Sequence, residues 1–264
     1  MDIPWERWYG AITRRRSRRR FDGRPVEPAA LERLRGLCRE FAPHPEARAV
    51  VVTTAPDEVF RGLVGHYGKV KGAPAFIGDV RDPHICEKVG YLGEALVLEA
   101  TALGLATCWV GGFFRPEAAA RLAGAGPNER VLAVAAVGYA PEGWTTEERL
   151  MTGFGLTHRR RPLADLVEGL DPSHWPAWVA RALEAARLAP SAVNRQPWRF
   201  GVTQDAVTVT VDNLRDTYGI PKRLDCGIAM LHLEVGALAA GVRGTWEFLA
   251  PPQVARFTAR TASG

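Results

Sequence analysis

The spacing of apolar and polar residues predicts helices and strands in alternation along most of the chain. Residues 28–41 and 175–188 carry apolar side chains on one helical face, which is typical of amphipathic helices. The segments 84–104 and 224–241 are long and rich in small residues, and the first is apolar almost all round, which predicts a central, buried helix. Runs of apolar or β-branched residues predict strands at 50–53, 74–80, 106–110, 130–138, 199–203, 206–212 and 242–249. A mixed α+β fold is therefore expected.

An internal repeat relates the two long helical segments. Shifted by 137 positions, residues 90–109 align with 227–246 without a gap, and six of the twenty positions are identical. Each half also runs in the order amphipathic helix, Ala-Pro, strand, small-residue helix, strand. We interpret this as a duplication that gives two related halves, 1–171 and 172–264, packed as one unit. The small residues predict close contact between the two long helices at a pseudo-twofold interface.

Composition excludes several classes of protein. A hydrophobic content of 47% with 24% charged residues is ordinary for a globular protein, and the longest apolar run is too short for a membrane helix. Asp2, Glu6 and an arginine run stand where a signal peptide needs an apolar segment, so a cytoplasmic protein without a membrane partner is expected. The four cysteines are widely spaced, which favours free, buried thiols over disulfides or a metal site. No metal is expected.

Positive charge is concentrated near the N-terminus. The net charge is +5, and the six arginines within residues 14–20 exceed that value by one. A concentrated charge suits a compact anion such as a phosphate monoester better than a long polyanion, which calls for a broad stripe. On its own, however, such a run is also typical of a solvated face or of an arm that binds nucleic acid.

A second segment that could form part of a functional site is the APSAVNRQPWRF stretch at 189–200, which joins a predicted helix to a predicted strand. Pro190 ends the helix, small residues let backbone approach a flat ligand, and the amides of Asn194 and Gln196 both donate and accept hydrogen bonds. The same stretch is equally typical of a turn whose polar side chains satisfy their own backbone.

Taken together, the two segments resemble the nitroreductase family of oxidoreductases, which depend on flavin mononucleotide (FMN). The motifs are R-R-S-x-R-x-F from Arg15 and P-S-A-x-N-x-Q-P-W from Pro190. Further similarity lies at 72–77, at 104–113 and in the basic-x-Pro signature that begins at Arg160. The resemblance spans nearly the whole chain and is closest to a subgroup in which two nitroreductase-like halves share one chain.

The resemblance implies two mainly antiparallel sheets flanked by helices, arranged as a tandem pseudo-dimer. The first half keeps the arginine motif, 107–112 and Arg160, whereas the second half keeps 190–198. The corresponding segments at 42–46 and 244–247 have lost the motif residues. The surviving parts are complementary, which predicts one complete site per chain and a monomer that acts as an intramolecular pseudo-dimer.

The resemblance also assigns roles to single residues. Arg15, Arg16, Ser17 and Arg160 would hold the phosphate and ribityl chain of FMN. Arg19 and Lys69 would lie near the pyrimidine end of the ring. Gly111 and Gly112 would present backbone to N5 and O4. The ring would be reached from the second half by Pro190, Ser191, Ala192 and Asn194. No catalytic acid, base or nucleophile is expected.

The implied activity is transfer of a hydride from NADH or NADPH to flavin N5, and then of electrons to a small acceptor such as a quinone or nitroaromatic. Two other functions stay open. One is an FMN-binding protein with different chemistry or no redox turnover, because one of the two sites is lost. The other is a binder of nucleic acid or an acidic partner through Arg14–Arg20, which predicts that no flavin is bound.

Overall fold

The computed structural model describes residues 1–60, 70–143 and 159–260. Within them the helices are α1 Trp5–Arg14, α2 Pro28–Glu40, α3 Ile85–Ala102, α4 Pro116–Ala123, α5 Ala177–Arg187 and α6 Lys222–Ala239. The strands are β1 Ala47–Val52, β2 Ala73–Asp79, β3 Ala106–Val110, β4 Glu129–Gly138, β5 Val167–Gly169, β6 Trp198–Val202, β7 Ala206–Val211, β8 Gly244–Phe248 and β9 Gln253–Ala259. None of the helices in these ranges is both long enough and apolar enough to span a membrane.

The strands form two sheets, in the orders β1-β2-β4-β3 and β5-β6-β7-β9-β8. All neighbouring strands are antiparallel except β5, which runs parallel to β6. The predicted α+β fold with mainly antiparallel sheets is therefore confirmed. The two sheets share one connectivity, because α3 leads from β2 to the edge strand β3 and α6 leads from β7 to the edge strand β8. Duplication would produce this likeness, and it stays a prediction.

Helices α3 and α6 pack against each other at backbone distance. A Cβ atom built on Gly90 would lie 2.1 Å from the carbonyl oxygen of Leu224, and one on Gly227 would lie 2.0 Å from that of Glu87. Leu224 follows Glu87 by the same 137 positions that separate the two glycines, so the contact has pseudo-twofold symmetry. Any side chain at either glycine would force the helices apart. The close contact expected from the small residues is present.

Two apolar cores surround this contact. The larger one joins α1, α2, α3, α5 and α6 to the inner faces of both sheets, with Trp8, Phe76, Trp198 and Phe257 among its largest buried side chains. The smaller one covers the outer face of the first sheet with α4 and the 3₁₀ turn Pro56–Val59. The first sheet is therefore covered on both faces, which explains the almost uninterrupted burial of β2 and β4.

The structure corrects the end of the predicted topology. The sequence pattern predicts that a strand at 242–249 is the last element, but β8 is followed by β9, which lies between β7 and β8 in the sheet. Helices α1 and α4 and strand β5 were also not predicted. β5 contains three residues, too few for a periodic pattern. It belongs to the predicted first half, 1–171, yet it extends the sheet of the second half.

The helix contact generates a test of stability. We expect Gly90→Ala to lower the free energy of unfolding by about 3 kcal/mol or more, because the new methyl group meets a backbone carbonyl that cannot rotate away. Urea denaturation of the purified variants measures this. The matched control is Gly36→Ala in α2, where a Cβ would meet only the ends of flexible side chains, 3.5 Å or more away. That variant should be unchanged or stabilised by about 1 kcal/mol, and equal losses in both variants would contradict the backbone contact.

Candidate functional site

The position of the arginine motif is set by a buried carboxylate. Glu99 of α3 is fully buried and accepts hydrogen bonds from Trp8 Nε1 at 2.7 Å, Arg7 Nη2 at 2.6 Å and Arg33 Nε at 2.8 Å. These contacts fix α1 and α2 on α3. Because α1 ends at Arg14, these contacts also determine the position of Arg15, the next residue.

Arg15 lies inside the protein beside β3 and is only 6% exposed. Its Nη1 donates to Ser17 Oγ at 3.3 Å, and the backbone at Ser17 pairs with Thr107 of β3. Two buried polar atoms here have no hydrogen-bond partner among the described residues, namely Arg15 Nε and Thr107 Oγ1. Leaving a buried donor unsatisfied costs about 1–3 kcal/mol. The arrangement therefore suits a ligand with several acceptor oxygens.

Arg160 connects this cluster with the second half of the chain. Its Nη1 donates to Asn194 Oδ1 at 2.6 Å, and Asn194 Nδ2 donates to the carbonyl of Arg159 at 2.9 Å. Burial, together with the positive charges of Arg15, Arg187 and Arg16, lowers the pKa of Arg160 to about 10. No carboxylate pairs with Arg160 among the described residues. Arg160 therefore contacts the 189–200 segment and lies near enough to Arg15 and Arg16 for their charges to affect it. The complementary-halves organisation stays a prediction.

The turn that follows α5 is held in an unusual backbone conformation. Val193, Asn194 and Gln196 have φ angles of 46°, 57° and 47°, which lie in the left-handed region. This conformation is tolerated by asparagine but strained for a β-branched residue such as Val193. Hydrogen bonds keep it in place: Gln196 N donates to Ser191 Oγ at 2.9 Å, and Gln196 Oε1 accepts from Arg161 N at 2.8 Å.

A buried acid supports the same turn from α6. The carboxylate of Asp225 accepts from Arg195 Nε at 2.7 Å and from Ala192 N at 3.2 Å. Burial raises the pKa of Asp225 to about 6, although the charge of Arg195 opposes the shift. Sequence reasoning missed this residue. Its only signal there was an acidic side chain within a helix expected to be rich in small residues.

The glycines after β3 contact the second half as well. A Cβ on Gly111 would lie 3.1 Å from Ile220 Cγ2, and one on Gly112 would lie 3.4 Å from Ile220 Cδ1. Arg195 Nη2 donates to the carbonyl of Ile220 at 2.9 Å, and its Nη1 donates to Thr217 Oγ1 at 3.0 Å. Arg195 therefore links the 217–220 loop, and through it the two glycines, to the supported turn.

The remaining predicted residues are placed as follows. Arg16 is exposed, and its Nη1 donates to the carbonyls of Thr13 and Arg15 at the C-terminal end of α1, where a cation is favoured. Arg19 is partly buried, and Lys69 lies outside the described residues. Pro190 is buried, whereas Ser191 and Ala192 are partly exposed. The amide of Asn194 holds residues 159–160, a contact that the resemblance did not imply.

The two sheets, the paired central helices and the converging arginine and turn segments define a protein of the nitroreductase fold. The chain belongs to the family described as "Putative TM nitroreductase", whose model matches residues 7–237. This match confirms the resemblance drawn from the motifs. A search of curated proteins gives no match.

The chain shares its fold with a solved structure and has weaker similarity to others. A Thermotoga maritima MSB8 structure described as a "putative nitroreductase" is 20% identical over 95% of this chain and 93% of that one, with a TM-score of 0.65. A nitroreductase with bound FMN from Bacteroides fragilis NCTC 9343 is 17% identical over 52% of this chain and 90% of its own, with a TM-score of 0.44. A Parabacteroides distasonis ATCC 8503 protein described as a "Putative NADH dehydrogenase/NAD(P)H nitroreductase" is 21% identical over 52% and 89%, with a TM-score of 0.43.

Asp225 generates a prediction about pH. Because its folded-state pKa is raised above the usual value, the folded protein keeps a proton between about pH 4 and 6 that the unfolded chain has lost. The resulting stability is present below pH 4 and is lost as the pH rises towards 6. Relative to Asp225→Asn, the wild-type free energy of unfolding should fall by up to about 3 kcal/mol over this interval.

Urea denaturation at several pH values between 4 and 7 measures the difference. The exposed Asp165, substituted as Asp165→Asn, serves as the control and should show no comparable dependence. A wild-type minus Asp225→Asn difference that stays constant with pH would show that Asp225 does not titrate in this interval.

Proposed function

We propose that this protein is an FMN-dependent NAD(P)H oxidoreductase that passes electrons to a small acceptor of the quinone or nitroaromatic class. The observation that carries the proposal is the pair of buried, unpartnered atoms Arg15 Nε and Thr107 Oγ1, beside Ser17 and Arg160. Membership of a nitroreductase family supports the same conclusion.

The donors at this place fit a phosphate monoester. Such a group carries close to two negative charges and three acceptor oxygens, which call for charged and neutral donors together. The site has the guanidinium groups of Arg15 and Arg160 and the hydroxyls of Ser17 and Thr107, and Arg16 is proposed to add a third guanidinium. Among the described residues no carboxylate forms an ion pair with Arg15 or Arg160 to compete for their charge. In the proposal these five residues hold the phosphate and the adjoining ribityl chain.

The other end of the site is formed by two glycines without side chains. Thr107 is the second residue of β3 and Gly111 follows its last residue, which places the two about 13 Å apart at the usual rise of a strand. This separation suits an elongated ligand with one anionic end. The ring would then lie against Gly111 and Gly112 on one side and against the 190–194 turn on the other.

Positive charge near the flavin ring would also stabilise its reduced form. Arg19 and Lys69 are proposed to lie near the pyrimidine end, where a cation stabilises the negative charge that develops on reduction. When bound, FMN would supply the hydride and electron chemistry itself. The chain needs no acid or base of its own, because its part is to bind, orient and provide charge.

The proposal includes the organisation of the chain. The halves 1–171 and 172–264 would be products of duplication that together build one site, with a monomer in the cytoplasm as the functional form. The contact of Arg160 with Asn194 supports this, because it joins the two halves at the site within one chain.

The cofactor claim is tested on purified protein. We expect one FMN per chain, measured by absorbance after release from denatured protein. Arg15→Gln should weaken FMN binding about 10- to 100-fold, since it removes a charge-assisted hydrogen bond. Arg39→Gln is the matched control, because Arg39 is exposed and its ion pair within the described residues is with the exposed Glu32. A stoichiometry of two, or equal losses in both variants, would contradict the proposed site.

The redox claim has a separate test. Anaerobic addition of NADH or NADPH should bleach the flavin absorbance, and a quinone should restore it. A flavin-loaded protein that stays oxidised with both nicotinamides would reject the reductase and leave an FMN-binding protein without this turnover. Protein that holds no flavin but binds nucleic acid with a steep salt dependence would reject both.

A further inference from the structure

A buried polar network lies next to the proposed phosphate site and joins the two central helices. Glu94 of α3 and His232 of α6 are both fully buried, and Glu94 Oε1 lies 2.9 Å from His232 Nε2. Glu94 Oε2 accepts from Trp109 Nε1 at 2.7 Å. His232 Nδ1 lies 3.0 Å from the carbonyl oxygen of Ala185. Both ring nitrogens and both carboxyl oxygens therefore have partners.

These partners determine how many protons the pair carries. The Ala185 carbonyl can only accept, so Nδ1 of His232 must hold a proton. A second proton must lie between Nε2 and Glu94, because two lone pairs would otherwise face each other at 2.9 Å. The pair is therefore either an imidazolium with a carboxylate or a neutral imidazole with a carboxylic acid.

Both states leave the pair without net charge, because the proton between Nε2 and Glu94 is present in either of them. The pair also lies close to the arginine motif. Trp109, which donates to Glu94, follows Thr107 by two positions on β3, so the two side chains lie on the same face of that strand. No direct ion pair joins Arg15 to Glu94 in the described part of the chain, and Glu94 has its closest titratable contact with His232.

The charge of the Glu94–His232 pair affects how strongly Arg15 can attract a phosphate group. A lone buried carboxylate near Arg15 would cancel the positive charge that a phosphate needs. The proton that lies between His232 and Glu94 removes that negative charge. We propose that His232 is a positioning residue for phosphate binding: the proton it shares with Glu94 makes the pair neutral and leaves the charge of Arg15 available to the phosphate of FMN. This inference rests on the proposed function.

The position of the pair in the repeat agrees with this role. At the shift of 137 positions, Ala95 corresponds to His232 and Leu231 corresponds to Glu94. The repeat therefore provides the pair once, as it provides the arginine motif once. If the pair served only to hold the helices together, a counterpart on the other side of the pseudo-twofold axis would serve equally well.

The test compares FMN with riboflavin, which has the same ring but no phosphate. Flavin is removed from the full chain, and binding of each ligand is followed by quenching of flavin fluorescence. His232→Gln keeps a donor towards Glu94 but removes the proton that neutralises the pair. We expect it to weaken FMN binding about tenfold and riboflavin binding by less than twofold. Equal losses for both ligands would overturn the inference, because a general distortion of the site does not distinguish them.

A double variant tests the charge argument itself. Glu94→Gln combined with His232→Gln removes both titratable groups and keeps hydrogen-bonding groups in place, so the pair is again without charge and FMN affinity should return to within about threefold of wild type. No recovery would overturn the inference.

The proposed function and the role of His232 can be rejected separately. Wild-type protein that binds neither flavin would reject the proposed function, and the inference with it. Wild-type protein that binds FMN, together with a His232→Gln variant in which the ratio of FMN to riboflavin affinity is unchanged, would reject the inference alone.

Discussion

The contact between Gly90 and Leu224, with its counterpart between Gly227 and Glu87, is the constraint on which the rest of the molecule depends. It lets α3 and α6 approach until backbone meets backbone, a distance that only glycine permits. Every contact between the halves is built around this separation. Glu94 reaches His232 across it, and Arg223 reaches Glu87. On the same scaffold Arg160, whose pKa is affected by the charge of Arg15, donates to Asn194 of the 190–196 turn.

Close packing alone would not fix how the helices are rotated. Three buried carboxylates on α3 supply that specificity, because a buried charge is tolerated only where a partner of opposite sign lies in one particular place. Glu87 pairs with Arg223 of α6, Glu94 with His232 of α6, and Glu99 with arginines of α1 and α2. A rotation of α3 that breaks one pair breaks all three. The helix that looks apolar in sequence is therefore oriented by its few charges.

Sequence periodicity was sufficient for elements that bury one face or are buried all round. The bounds of β3 agree fully, and those of α2 and α3 agree to within two residues, because their apolar patterns are long and regular. Strand β9 was missed because adjacent Val254 and Ala255 are both buried, at a register shift that breaks the alternation. Arg15 and the turn were found through their motifs. Asp225, Glu94 and His232 could not be assigned in the same way, since a charged residue in an apolar helix indicates burial but not its partner.

The candidate site contains two energetically unfavourable features that one bound anion would relieve. Arg15 Nε and Thr107 Oγ1 are buried without partners, and Val193 holds a backbone conformation that is strained for its residue type. Costs of this kind persist in a fold when something else offsets them. An anion between Arg15 and Thr107 would satisfy the two donors and screen the repulsion among Arg15, Arg16 and Arg160. Because Arg160 is bonded to Asn194, the same anion would also steady the strained turn. Binding of the phosphate and ordering of the turn would then be one event, with Arg160 as the link between them.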